Sequence, residues 1–246
     1  MNVAAARGEL DRPHDRPFHG PRLVWLGAAV LGGLRTGVND SRRAADRDRG
    51  AALNRLADLT GAFAELVGLR HLELLGVPDA AAQLLDRHGH VDDVDLTGTY
   101  LDRAVRLEVK AHLEHPGKRL LLINTRALQR STERGAQGFL PVVTRLGHDA
   151  ARVGRLIELE DVASWSVRTL PPHHDPAHAL TLVEATDRYF AGRLYPSSRL
   201  AVDAEELYAA YDQARASVAA APQRVPDLDG TDALTALRRL TAFLDC

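Results

Sequence analysis

The chain has 246 residues, 45% of them apolar and 26% charged, the balance of a globular protein and not of a mainly disordered one, and this length suits one large α/β domain. With 31 Lys and Arg against 33 Asp and Glu, the net charge of −2 offers no polybasic field, so no nucleic-acid partner and at most peripheral membrane contact are expected. The single cysteine, Cys246, excludes an internal disulfide or a thiolate metal cluster; with a Gly-broken apolar run at Leu23 to Leu34 too short to span a bilayer and a start that makes a poor signal peptide, a cytoplasmic location is expected.

Residues 1–20 carry Pro13, Pro17 and Gly20 among charges and no apolar period, and read as a disordered arm. Residues 22–30, RLVWLGAAV, form a continuous apolar run that stops at Gly32-Gly33, as a buried parallel strand does. A polar, Gly-rich stretch follows. A helix is then predicted from about Ala51 to Leu66, with Gly68 as its stop. Residues 70–77 read as a second strand, 80–89 as a short helix, 91–98 as a third strand and 99–115 as an amphipathic helix opened by Thr99 and Asp102. Residues 119–124, RLLLIN, are a fourth buried strand, and a helix covers roughly 127–146. Strand character returns at 155–159 and 163–168. Helices at 180–196 and 202–220, a linker and a terminal helix started by Thr231 complete the chain. Strands alternating with helices predict a mostly parallel sheet with helices on both faces, in one domain over 21–220 followed by a linker and C-terminal helix over 221–246. In such a sheet the ligand sits beyond the carboxyl ends of the strands.

That geometry selects the first loop, where Gly32 and Gly33 let backbone N–H groups approach an anion and Arg35, Thr36 and Asn39 add donors. The spacing matches neither GxGxxG nor a P-loop, and a tight turn with a solvated arginine is the plain alternative. Histidines at 88 and 90, at 112 and 115 with Glu108, and at 173, 174 and 178 beside Asp175 match no zinc signature, and surface histidines are the plain alternative. No GxSxG marks a serine hydrolase. Tyr189, Phe190, Leu194, Tyr195 and Leu200 form an aromatic and apolar band, which reads as core or as a contact surface.

The segment SVRTLPPHHDPAHALTLVEATDRYFAGRLYPSSRLAVDAEELYAAYDQA resembles the C-terminal part of the cis-prenyltransferase (undecaprenyl diphosphate synthase) family. Arg168-Thr169, Asp187, Tyr189-Phe190 and Tyr195-Pro196 fall on the family's Arg-Thr pair, its acid, its aromatic pair and its Trp-Pro. The likeness covers residues 22–218, sparsely outside this block. It implies condensation of an allylic diphosphate with isopentenyl diphosphate. Arg168 would grip the isopentenyl diphosphate with Thr169 and His174, Asp187 would hold Mg²⁺, and Arg35, after Gly32 and Gly33, would bind the allylic pyrophosphate. The family's loop Asp has no counterpart except a displaced Asp40, and its second Arg falls on His174. The predicted helix at 80–89 would span only about 15 Å, so a short product is expected. The resemblance also implies a homodimer, or a heterodimer in which this chain is a catalytically silent partner subunit. A Rossmann-like phosphate-binding enzyme is the alternative outside the family.

Overall fold

The computed structural model describes residues 14–15, 21–39, 51–85, 94–100, 102–115, 117, 119–169, 176–190, 194–228 and 230–245. In chain order these form β1 (His14–Asp15), α1 (Pro21–Asn39), α2 (Ala51–Leu74), β2 (Ala81–Ala82), β3 (Leu96–Tyr100), β4 (Arg103–Leu113) and β5 (Leu120–Asn124). Then follow α3 (Thr125–Glu133), β6 (Gly138–Thr144), β7 (Ala151–Val153), β8 (Ile157–Glu158), α4 (Leu159–Ser164), β9 (Ser166–Thr169), β10 (Pro176–Thr181), α5 (Leu182–Tyr189), α6 (Ala204–Ala220) and α7 (Ala233–Ala242).

The protein is α/β, with two sheets. The larger runs β1-β7-β6-β4-β3-β2 with β8 on β6, and the smaller runs β5-β10-β9. The expectation of a mostly parallel sheet is corrected: among the described pairings only β4 with β6 is parallel, and the others are antiparallel. Period-two alternation divides β6 between two cores. Leu140 and Val142 join α1, α2, α6 and α7 in one cluster, while Phe139 and Val143 join β5, α4 and α5 in the other.

The largest revision lies at the start. Residues 22–30 are the first half of a helix, not a strand, because a continuous apolar run fits a buried helix equally well. Trp25 stacks on Phe63 of α2 at 3.8 Å between ring centroids, and its indole N–H donates to the His148 carbonyl at 2.8 Å. Gly32 and Gly33 serve helix packing. A Cβ built on Gly33 would sit 2.2 Å from the Tyr211 carbonyl oxygen of α6, so only glycine allows this approach.

The predicted helix at 51–66 and strand at 70–77 are one helix, α2, which passes through Gly68. At Gly68 the helix lies close on the sheet, where a Cβ would be 2.9 Å from Leu96 Cδ1. Of the predicted 80–89 helix, residues 81–82 are a strand and 86–89 lie outside the described residues. The predicted helix at 99–115 is the end of β3 and all of β4, with Tyr100 paired to Arg103 and Asp102 turning at φ 61°. The predicted helix at 127–146 ends early, at Glu133, and gives way to β6. Strand 119–124 is found as β5. The helices at 180–196 and 202–220 are found as the shorter α5, with a Thr181–Glu184 capping box, and as α6, capped by Asp203. The terminal helix starts at an Asp232 cap instead of Thr231. Of the expected arm, His14–Asp15 pair with β7, and its other residues lie outside the description.

Candidate active site

Pairing of β3 with β4 sets Leu96 opposite Leu107. Leu107 and Val109 then face the larger core, and Glu108 and Lys110 share the opposite face of the strand. One step beyond that pair, Asp95 precedes Leu96 as Glu108 follows Leu107, and the charge of Glu108 acts on the Asp95 carboxyl. Asp95 Oδ2 also accepts the Val109 N–H at 2.7 Å. Burial, and then the Glu108 charge, push the Asp95 carboxyl up to about 7, against the pull of the Val109 N–H and the charge of Arg35.

Helix α3 forms the other wall. Asn124 caps it by accepting the Arg126 N–H at 2.8 Å. The cap directs Arg130 and Ser131 toward the strands, and Arg134 follows at the C-cap. The Arg134 guanidinium is 3.8 Å from Glu108 Oε1, and its carbonyl accepts from Arg106 at 3.0 Å. Arg130, Ser131 and Arg134, together with Asp95, Glu108 and Lys110, line a cavity of about 340 Å³.

The residues expected to bind diphosphates lie elsewhere. Gly32 and Gly33 are inside α1, so no phosphate loop exists there. Arg35 points into the protein. It forms a bidentate ion pair with Glu65 of α2, one contact being 2.9 Å, and donates to the carbonyls of Leu84 at 2.6 Å and Gln83 at 3.2 Å. Burial lowers its pKa, the Glu65 charge and hydrogen bond raise it, and the net shift is upward. Thr36 is buried, donates to Asp58 at 2.8 Å and shares a hydrogen bond with the Tyr211 hydroxyl at 2.6 Å. Asn39 ends α1, and its side chain lies outside the description, as do Asp40, His88, His90, His173, His174 and Asp175. Arg168 and Thr169 are exposed on β9, the edge of the smaller sheet, and Asp187 is exposed on α5. Arg35 thus belongs to the helical layer over the larger sheet and Arg168 to the rim of the smaller one. His112 does not sit on a helix with His115 and Glu108; it is buried on β4 and shares a hydrogen bond with the Tyr195 hydroxyl at 2.7 Å.

Among the described residues, no group of three or more His, Cys, Asp and Glu side chains converges on one point. Magnesium needs fewer protein ligands, since one or two carboxylates with water and substrate phosphate oxygens suffice. Asp95 and Glu108 fit that requirement, and Asp187 lies apart from them, exposed on α5. Sequence reasoning passed over Asp95, Glu108 as an acid, Lys110, Arg130 and Arg134. The signal was present in the alternation of RLEVKAH, where Glu and Lys two residues apart share one face of a strand. Comparison of the chain with known protein families, characterised proteins and solved structures finds no match. Among the described residues, no helix is long and apolar enough to cross a membrane.

Proposed function

We propose that the protein is a divalent-cation-dependent hydrolase of phosphodiesters, with a nucleic-acid backbone as substrate. The observation that carries this reading is the convergence of two carboxyl groups, a lysine and two arginines on one cavity. Asp95 and Glu108 would hold Mg²⁺, the cation expected from the sequence, at a different position. A bound divalent ion polarises a phosphoryl oxygen and makes a water more acidic. Lys110 orients the attacking water and offsets negative charge as it develops. Arg130 and Arg134 hold the non-bridging oxygens. The water oxygen bonds to phosphorus and gives a proton to solvent, one ester P–O bond breaks, and the departing oxygen takes a proton from solvent, leaving a phosphomonoester and an alcohol.

A polymeric substrate is favoured by the wall as well as by the floor. Arg126, Arg130 and Arg134 recur every fourth position, so α3 and its cap present a stripe of cations along one side. A net charge of −2 describes the whole chain and does not describe this stripe.

The test is incubation of the full chain with single- and double-stranded DNA, RNA and bis(p-nitrophenyl) phosphate in Mg²⁺ or Mn²⁺. Cleavage that EDTA, Glu108→Gln and Lys110→Met each abolish supports the reading; no cleavage of any of these substrates removes it. Geranyl diphosphate with isopentenyl diphosphate is the contrasting pair. Release of pyrophosphate from that pair would return the chemistry to isoprenoids and the search for ligands to Arg168 and Asp187.

A further inference from the structure

Arg35 and Glu65 do not line the cleft, although the charges of both act on Asp95. Their geometry also leads to Asp95. The guanidinium Nε donates to the Leu84 carbonyl at 2.6 Å and Nη2 to the Gln83 carbonyl at 3.2 Å, so one planar fork grips two consecutive peptide groups. Glu65 takes two of the three remaining N–H groups of that fork and fixes its plane. Gln83 in turn donates its own N–H to the Asp95 carbonyl at 3.2 Å, next to the pairing of Ala82 with Leu96. The strand just before this contact, β2, has only two residues at the edge of the sheet. Two residues of ladder supply little register of their own.

We infer that Arg35 and Glu65 are positioning residues, which clamp the backbone of residues 83–84 and through it hold Asp95 opposite Glu108. This rests on the phosphodiesterase reading of the cleft. A largely buried ion pair is poor evidence of stabilisation, because apolar residues of similar volume usually replace one without loss. The relay explains why a charged fork stands here: an apolar pair fills the space but releases two carbonyls and the segment that carries them. Arg35 therefore does for the cleft what an outer-shell partner does for a metal ligand, although it acts on the main chain.

The experiment titrates Mn²⁺ into the full chain and reads the free ion by electron paramagnetic resonance. It compares wild type, Arg35→Lys, and the double variant Arg35→Met with Glu65→Leu, each with its melting temperature. The inference expects both variants to bind Mn²⁺ about 10–100-fold more weakly while each still shows a cooperative melt. Lysine keeps the charge and loses the fork, so wild-type affinity in Arg35→Lys would overturn the relay and leave a charge effect alone. Wild-type affinity in a folded double variant would overturn it as well. Should the double variant not fold, Arg35→Lys decides, with hydrogen exchange at the Gln83 amide expected to quicken while the β4–β6 ladder is unchanged; unchanged exchange counts against the relay. Failure of the wild type to bind Mn²⁺ removes the reading of the cleft and this inference with it. Wild-type binding with unaltered variants removes the inference only.

Discussion

Asp95 and Glu108 face each other one step beyond the Leu96–Leu107 pair of an antiparallel ladder, and Lys110 rises from the same face of β4. This relationship assigns separable tasks to neighbouring side chains. Glu108→Gln removes a cation ligand and is expected to lose both Mn²⁺ binding and hydrolysis. Lys110→Met leaves both carboxylates in place and is expected to keep Mn²⁺ binding while turnover falls about 100-fold or more, the range for loss of a charge-stabilising donor. A Lys110→Met protein that cleaves at the wild-type rate would remove lysine from the chemistry.

The same pair makes the metal-free protein sensitive to pH. Asp95 titrates near 3.8 when unfolded and is pushed up to about 7 in the fold, by burial first and by Glu108 second. Between these values the folded state binds the proton more tightly than the unfolded chain does. Stability from this group is therefore full at the acid end and declines as pH rises from about 4 toward about 7. Melting temperatures in EDTA at pH 5 and pH 8 check this. Asp95→Asn carries no titrating proton and is expected to flatten that part of the profile; an identical slope in both proteins refutes the assignment to Asp95.

Glycines in the helical layer give a third expectation, in two opposite directions. A Cβ at Gly33 meets the Tyr211 carbonyl oxygen at 2.2 Å, and backbone cannot step aside cheaply. Gly33→Ala is expected to cost about 1–3 kcal/mol or more, as overpacking does. Gly61 lies inside α2 with nothing within 4 Å of the added carbon. Gly61→Ala is expected to gain about 0.5–1 kcal/mol from reduced freedom of the unfolded chain. Urea unfolding of the two variants measures both signs.

Residues 101–113 show how a local ambiguity hid the site. Leu101, Val105, Val109 and Leu113 recur at every fourth position, which satisfies a helical stripe. Leu107 and Ala111 lie between them, so the same residues also satisfy an alternating strand, and the charged Arg106, Glu108 and Lys110 fall on the intervening positions. Every fourth residue is also every second one twice over, and only the intervening residues tell the periods apart. On a helix, Glu108 and Lys110 diverge; on β4 they meet. Misreading the element therefore concealed the chemistry. The run at residues 22–30 failed for another reason, since it is apolar on all sides and has no period to read. Where a terminus carried its own polar signal, as Asp203 does before α6, the element was legible. The Arg35–Glu65 pair was not, because nothing local connects an arginine of α1 to a glutamate one helix later.

A buried contact away from the cleft ties the loop after α5 to the sheet. His112, 2% exposed on β4, shares a hydrogen bond with the Tyr195 hydroxyl at 2.7 Å. Burial, and then the Glu114 charge, push the Tyr195 hydroxyl up to about 12, so it stays protonated throughout the working range. Tyr195→Phe keeps the ring and removes the oxygen, and is expected to cost about 1–3 kcal/mol because His112 loses a partner in the interior. Wild-type stability in this variant would show that other contacts of His112 suffice.

Arg134 supplies the remaining test, one that separates a polyanion from a small phosphate ester. Its guanidinium stands 3.8 Å from Glu108, at the end of the arginine series on α3. Once a cation occupies the carboxylates, Glu108 no longer needs that counter-charge, and Arg134 is available to a phosphate. In a Lys110→Met background, where turnover is expected to be slow, affinity for a DNA duplex is expected to fall with salt along a straight line in logarithmic axes. Arg134→Gln is expected to reduce the slope by about one, the signature of a single lost phosphate contact. An unchanged slope would take Arg134 out of the interface, and an absent salt dependence in the parent protein would exclude a polymeric substrate for this cleft.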